Sequence, residues 1–140
     1  MKILVENLQG RIKANPPQVK NTAYKIINKL EIPPQFNNLS LSIYFVKNSI
    51  IKKLNKQFFN KDYLTDVISF NLGNDYAEIF IAPSVVKYNA TSLSIEFREE
   101  FHRCIVHGIL HIFGFTDIFK KEKTKMWKKQ EALLAEIINE

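Results

Sequence analysis

Residues 66–82 read Asp66-Val67-Ile68-Ser69-Phe70-Asn71-Leu72-Gly73-Asn74-Asp75-Tyr76-Ala77-Glu78-Ile79-Phe80-Ile81-Ala82. Two runs rich in β-branched and aromatic residues, at about 66–71 and 77–82, flank Gly73-Asn74-Asp75, which is turn chemistry. The pattern predicts a hairpin-like pair in the middle of the chain. Upstream, residues 48–58 have a helical pattern with Asn48 or Ser49 as cap. Before them, Leu39-Ser40-Leu41-Ser42-Ile43-Tyr44-Phe45 alternates apolar and polar residues, as a half-buried strand does. Asn15-Pro16-Pro17 opens an amphipathic helix (Val19, Ala23, Ile26, Ile27, Leu30) that Pro33-Pro34 stops. Residues 2–6 read as a short strand. Downstream, Pro83-Ser84 opens one helix, a second runs from about 95 to 113, and a last one from about 120 to 139. The fold class expected is α/β (α+β), with a small mixed sheet of about four strands packed on helices.

With 140 residues and 46% apolar content, the chain can build one core but not two comfortable ones, so residues 1–140 are expected to form a single domain. A single cysteine excludes an internal disulfide framework and fits a reducing compartment. The start Met1-Lys2-Ile3-Leu4-Val5-Glu6 lacks the apolar stretch of a signal peptide, and no apolar run is long enough to span a membrane. A cytoplasmic protein without a membrane partner is the expectation.

The chemistry is concentrated in His107-Gly108-Ile109-Leu110-His111-Ile112-Phe113-Gly114-Phe115-Thr116-Asp117. Histidines four apart on a helix lie about 40° from each other around the axis and about 6 Å apart along it, so both imidazoles reach one ion. Gly114 permits the left-handed backbone that ends many helices, which brings Asp117 back toward the histidines. Three protein ligands with a fourth position open to water describe a catalytic zinc site, whereas structural sites are closed by four. The helix is apolar nearly all round (Ile105, Val106, Ile109, Leu110, Ile112, Phe113), and polar groups on a buried helix need partners that a metal would supply. A satisfied pair of core histidines is the alternative. Zinc peptidases carry a glutamate after the first histidine of H-E-x-x-H as general base. Gly108 stands there instead, and lets a backbone or a bulky substrate approach the helix.

Neighbouring residues compete for roles. Cys104 lies one turn before His107, but three ligands in a row along a straight helix cannot surround an ion, so it reads as a small buried hydrophobe. His102, roughly 140° round from His107, reads as partly exposed. Arg103 is placed either near the site, against Asp117 or a phosphate, or in a surface salt bridge to Glu99 or Glu100. The net charge of +6 reflects 17 lysines against 3 arginines. Lysines 120, 121, 123, 125, 128 and 129 follow the metal motif directly. They suit sequence-tolerant contact with a nucleic-acid backbone or merely form a solvated face. The opposite face, with Met126, Leu133, Leu134 and Ile137, is expected to pack on the core.

The segment His107-Gly-x-Leu-His111-x-x-Gly114 resembles the metal motif of the YbeY family, the bacterial ribosomal-RNA maturation factors described as metal-dependent endoribonucleases. The resemblance extends to Leu54-Asn55, to Thr65-Asp66-Val67-Ile68-Ser69-Phe70, and to Glu78-Ile79-Phe80-Ile81, in matching order and separation. It implies a zinc-dependent endoribonuclease (one Zn²⁺ per chain, or another divalent ion) that cuts single-stranded RNA. It further implies work on the small ribosomal subunit, at the 3′ end of 16S ribosomal RNA. The site implied is His107, His111 and Asp117 on the metal, with His107 and His111 acting through bound water, Arg103 assisting, and Lys120, Lys121 and Lys123 on the RNA. Two departures stand out. The family ends its motif G-Y-D-H, and aspartate 117 occupies the position of that last histidine. Oxygen replaces nitrogen on zinc at a similar distance, while the added charge makes the site more tolerant of harder ions. The family also often has an arginine after its L-N-x-x-aromatic block, and Phe59 stands there.

Asp66 and Ser69 read either as turn-holding groups or as residues orienting a metal-bound histidine beside the cleft, and Glu78 reads as facing solvent. Phe115 and Phe119 are assigned to the core, with base stacking as the alternative. With no glutamate base, the nucleophile would be metal hydroxide or a substrate 2′-hydroxyl. Two rival functions remain on sequence grounds: a metal hydrolase of another substrate, and a non-catalytic ribosome-associated RNA-binding factor whose metal only fixes the fold.

Overall fold

A computed structural model describes residues 1–139 and has the expected mixed sheet at its centre. The elements run β1 (Lys2–Asn7), α1 (Pro16–Asn28), β2 (Ser40–Phe45), α2 (Asn48–Phe59), β3 (Val67–Asn71), β4 (Tyr76–Ile81), α3 (Pro83–Ser92), α4 (Phe97–Ile112) and α5 (Lys120–Ile138), with one 3₁₀ turn at Pro34–Phe36. The four strands lie in the order β1-β2-β4-β3. β1 pairs β2 and β2 pairs β4 in parallel, while β3 and β4 form the antiparallel hairpin, with Ser69 opposite Ile79.

Period-two alternation assigns each strand's side chains to two faces. Ile3, Leu41, Ile43, Phe45, Ala77, Ile79 and Ile81 point to one face and are buried against α1 and α4, over which α5 packs. On the other face, Phe70 and Phe80 pack with Ile51 and Leu54 of α2. β3 is an edge strand that serves both layers. Its Ile68 and Phe70 join the α2 side, while Ser69 and Asn71 hydrogen-bond to carbonyls of α4, donating to Gly108 at 2.9 Å and to Ile112 at 2.9 Å.

Two local expectations change. The cap of α2 is the backbone of Lys47, without a side-chain hydrogen bond, so neither Asn48 nor Ser49 caps it and both fall inside the first turn. The second concerns Gly108. A Cβ placed there would lie 3.0 Å from Cγ2 of Ile79 and 3.3 Å from Oγ of Ser69. The close approach that glycine allows is that of the sheet, not of a substrate.

Candidate metal centre and cleft

Helix α4 ends just past His111 in a Schellman motif: Gly114 adopts φ 98°, its N–H donates to the His111 carbonyl, and the Phe115 N–H donates to Leu110. Only a residue tolerant of positive φ turns the chain here, and two consequences follow. The Phe115 carbonyl comes back over the helix and lies 3.0 Å from Nδ1 of His111. Asp117 is carried to the histidine face, its Oδ2 3.5 Å from Nε2 of His111 and 4.0 Å from Nε2 of His107. The two Nε2 atoms are 3.0 Å apart, and one ligand atom from each of the three residues lies within 4.8 Å of the others.

The protonation pattern tests whether this group fits a cation. Nδ1 of His111 faces a carbonyl oxygen, so it carries the hydrogen. Nδ1 of His107 lies 2.7 Å from Oε1 of Gln130, and Gln130 is held in that orientation because its amide nitrogen donates to the Glu131 carboxylate at 3.1 Å. In its neutral form, each imidazole therefore turns a bare Nε2 lone pair toward the same point, beside a carboxylate. Two lone pairs 3.0 Å apart repel unless a positive charge, a metal ion or a single proton, lies between them. Burial holds His111 below its ordinary pKa, and the neighbouring His107 pushes the same way, which favours the neutral, ligating form. The residues fit a metal ion with two nitrogen and one oxygen donors.

The group opens into a cleft of about 450 Å³ between the last turn of α2, strand β3 and the end of α4. Phe59, Lys61, Asp66, Ser69 and Asn71 line it together with His107, His111 and Asp117. Asn55, buried beside it, holds the loop by donating to the Tyr63 carbonyl at 3.0 Å. Asp66 also accepts from the Cys104 thiol at 3.5 Å, and Cys104 is buried away from the metal group, its thiol pushed well up by burial. Glu78 accepts from the Tyr76 hydroxyl at 3.0 Å and takes no part in the cleft lining. Phe115 lines the cleft while packing on the core, and Phe119 is exposed at the start of α5.

Arg103 is directed away from this cleft. Its guanidinium donates to Glu100 at 2.6 Å, to Glu99 at 3.3 Å and to both oxygens of Glu131. It is thereby connected to His107 through Glu131 and Gln130. The partners Glu99 and Glu100 follow from helical spacing, whereas Glu131 arrives from α5. The sequence motif around His107 does not include Gln130, though a signal for it is present in α5. It interrupts the buried stripe Met126, Leu133, Leu134, Ile137, and a polar residue on an apolar stripe needs a partner. The lysines divide: Lys123 lines a recess beside His107 and Asp117, while Lys120 and Lys121 lie on a shallow surface with Lys125 and Lys128. No helix among the described residues is long and apolar enough to cross a membrane.

The chain is similar to known proteins along most of its length. Residues 4–138 match the family model described as Endoribonuclease YbeY. Relatives carrying that name include proteins of Thermotoga neapolitana (33% identical, over 78% of this chain and 74% of the relative) and Treponema denticola (31%, over 89% and 85%). One of Christiangramia forsetii is 38% identical over 68% of each chain. A solution structure from Thermotoga maritima superposes with a TM-score of 0.68 at 28% identity, covering 96% of this chain and 88% of that one. The chain belongs to the YbeY family of endoribonucleases.

Proposed function

We propose that this chain, as one cytoplasmic domain, is a zinc-dependent endoribonuclease that cuts single-stranded ribosomal RNA at the 3′ end of 16S ribosomal RNA on the small subunit. The observation that carries the reading is the convergence of two bare Nε2 atoms and one carboxylate oxygen at the wall of an open cleft. A divalent ion held by His107, His111 and Asp117 would supply Lewis-acid charge and acidify water, which would serve phosphodiester cleavage in a site that has no glutamate base.

The chain's own residues do the rest. Gln130 and the Phe115 carbonyl fix the imidazole tautomers. Lys61, on the cleft wall, is the cation placed to meet a substrate phosphate, a task for which Phe59 has no charge. Lys123 meets the backbone on the other side, and Lys120 and Lys121 extend that electrostatic track. Arg103 acts as a positioning residue, through Glu131 and Gln130, and not on the phosphate itself.

The test is cleavage of an end-labelled single-stranded RNA by wild-type, metal-stripped and His111→Ala protein. Cleavage that is lost in the last two, and returns to the stripped wild type on adding zinc, is expected. A folded, zinc-loaded wild type that leaves the RNA intact overturns the nuclease reading and favours an RNA-binding factor, a role that Phe59 and the sequestered Arg103 would then explain.

A further inference from the structure

Beyond the metal group the cleft does not end. A second recess of about 300 Å³ shares His107 and Asp117 with the first and is walled by α5, through Lys123, Met126, Trp127 and Gln130. Lys123, Trp127 and Gln130 are spaced i, i+4, i+7, so they lie along one face of α5. Gln130 is tied to His107, and Trp127 lies about one turn, roughly 5 Å along the axis, from Gln130, in a recess that His107 and Asp117 also line. Trp127 is 60% exposed although its neighbour Met126 is buried. An indole left open on a cleft wall keeps a π-face free at a real hydrophobic cost.

The first recess has its counterpart. Phe59 is 47% exposed at the cleft rim, and its ring lies nearly parallel to Phe70, 5.9 Å away at 13°, with Phe58 edge-on to Phe70 at 5.0 Å. Phe70 is itself packed on Phe80, so Phe59 is a supported ring and not a loose one. Each recess thus joins one well-exposed aromatic ring to one lysine, Phe59 with Lys61 and Trp127 with Lys123, while Phe115 in the first recess packs on the core; His107 and Asp117 lie where the two recesses meet.

We infer that the cleft is a two-sided nucleotide track, in which a single strand lays its reacting phosphate over His107, His111 and Asp117 and stacks one flanking base on Phe59 and the other on Trp127. This rests on the RNA reading above and adds to it the subsites on either side of the ion. A planar base matches an open ring, and the lysines match phosphates, whereas a peptide of mixed chemistry matches neither pairing. A duplex keeps its bases stacked on one another and offers none to the rings. The track is indifferent to base identity, because every base has a π-face.

Trp127 is the chain's one tryptophan, so its fluorescence reports this subsite directly. The probes are hexauridylate and an abasic hexamer of equal charge, each titrated into full-length protein in EDTA. Expected are quenching by hexauridylate but not by the abasic strand, and a fivefold to hundredfold loss of hexauridylate affinity, by anisotropy, in both Phe59→Ala and Trp127→Ala. Trp127→Phe, which keeps a ring, is expected to restore binding. Equal quenching and affinity for both strands, or alanine variants that bind as the wild type does, overturns the track and leaves the RNA reading standing. A wild type that binds neither strand, in EDTA or after zinc is restored, overturns both.

Discussion

His107 and Gln130 are joined across two helices by a 2.7 Å contact between imidazole Nδ1 and amide Oε1. The glutamine cannot turn over, because its other end donates to Glu131. It therefore selects the tautomer of His107 that leaves Nε2 free to ligate. Losing such an outer partner typically reduces metal affinity 10- to 100-fold. Gln130→Leu should show that loss in zinc competition against a chelator. The leucine completes the apolar stripe of α5, so thermal stability of the apo protein should hold or rise. A variant that binds zinc as tightly as the wild type would refute the tautomer argument.

Arg103 and its carboxylates form a partly buried cluster in which Glu100 is almost completely covered. Removing the arginine leaves Glu100 with an uncompensated charge, which costs more than breaking an exposed pair. Arg103→Ala should destabilise by about 2–3 kcal/mol in urea titration, below the 3–5 kcal/mol of a fully buried pair. A change under about 0.5 kcal/mol, as for a surface pair, would contradict this.

The same cluster sets an acid limb. The hydrogen bond from Arg103 holds the Glu131 carboxyl below its ordinary pKa in the folded state. A depressed folded-state value means that this contribution is fully present above the unfolded-state pKa, about 4.3, and is lost as pH falls through the folded value. Stability followed by urea midpoint from pH 7 to pH 3 should therefore fall below about pH 4.5, and Glu131→Gln should flatten part of that fall. An unchanged acid limb in Glu131→Gln would place the titration elsewhere.

Much of this arrangement was legible in the chain. The helical period put His107 and His111 on one face, and Gly114 announced the reversal that delivers Asp117, because both are local consequences of backbone geometry. The hairpin of β3 and β4 was legible for the same reason. The strand order was not: alternation says which face a residue takes, not which strand lies beside it, and β2 pairs β4 across an intervening helix and strand. Glu131 was invisible as Arg103's partner because it is 28 residues away, whereas Glu99 and Glu100 lie within a turn. The cap of α2 failed for a subtler reason. Asn48 has the right chemistry but sits one position late, after the extended Lys47.

Gly108 occupies the position of the glutamate in H-E-x-x-H, and the structure explains why that motif cannot be installed here. The position faces Ile79, which is fully buried, and not the metal group. Alanine would gain about 1 kcal/mol of helix propensity but must push a β-branched core residue off its rotamer, at about 1–3 kcal/mol. Gly108→Ala should be neutral to about 2 kcal/mol destabilised in chemical denaturation. Gly108→Glu should not yield a soluble folded protein at all, because it buries an unpaired carboxylate against the sheet. A folded glutamate variant would mean that α4 can lift from β4.

With Asp117 as third ligand, the proposed site has one oxygen and two nitrogen donors. A carboxylate suits harder ions such as manganese and magnesium, whereas imidazole suits zinc. Asp117 is 46% exposed at its side chain, so a larger ring can be accommodated without disturbing the core. Asp117→His, which restores the histidine of the family ending, should tighten zinc binding relative to manganese by about tenfold, as judged by competition with both ions. The apo variant should unfold at the denaturant midpoint of the apo wild type, since Val106, Ile109 and Leu110, which anchor α4 in the core, are untouched. If the zinc-to-manganese preference is the same with aspartate and histidine, Asp117 does not ligate the ion, and the third donor must be sought among the other residues of the cleft.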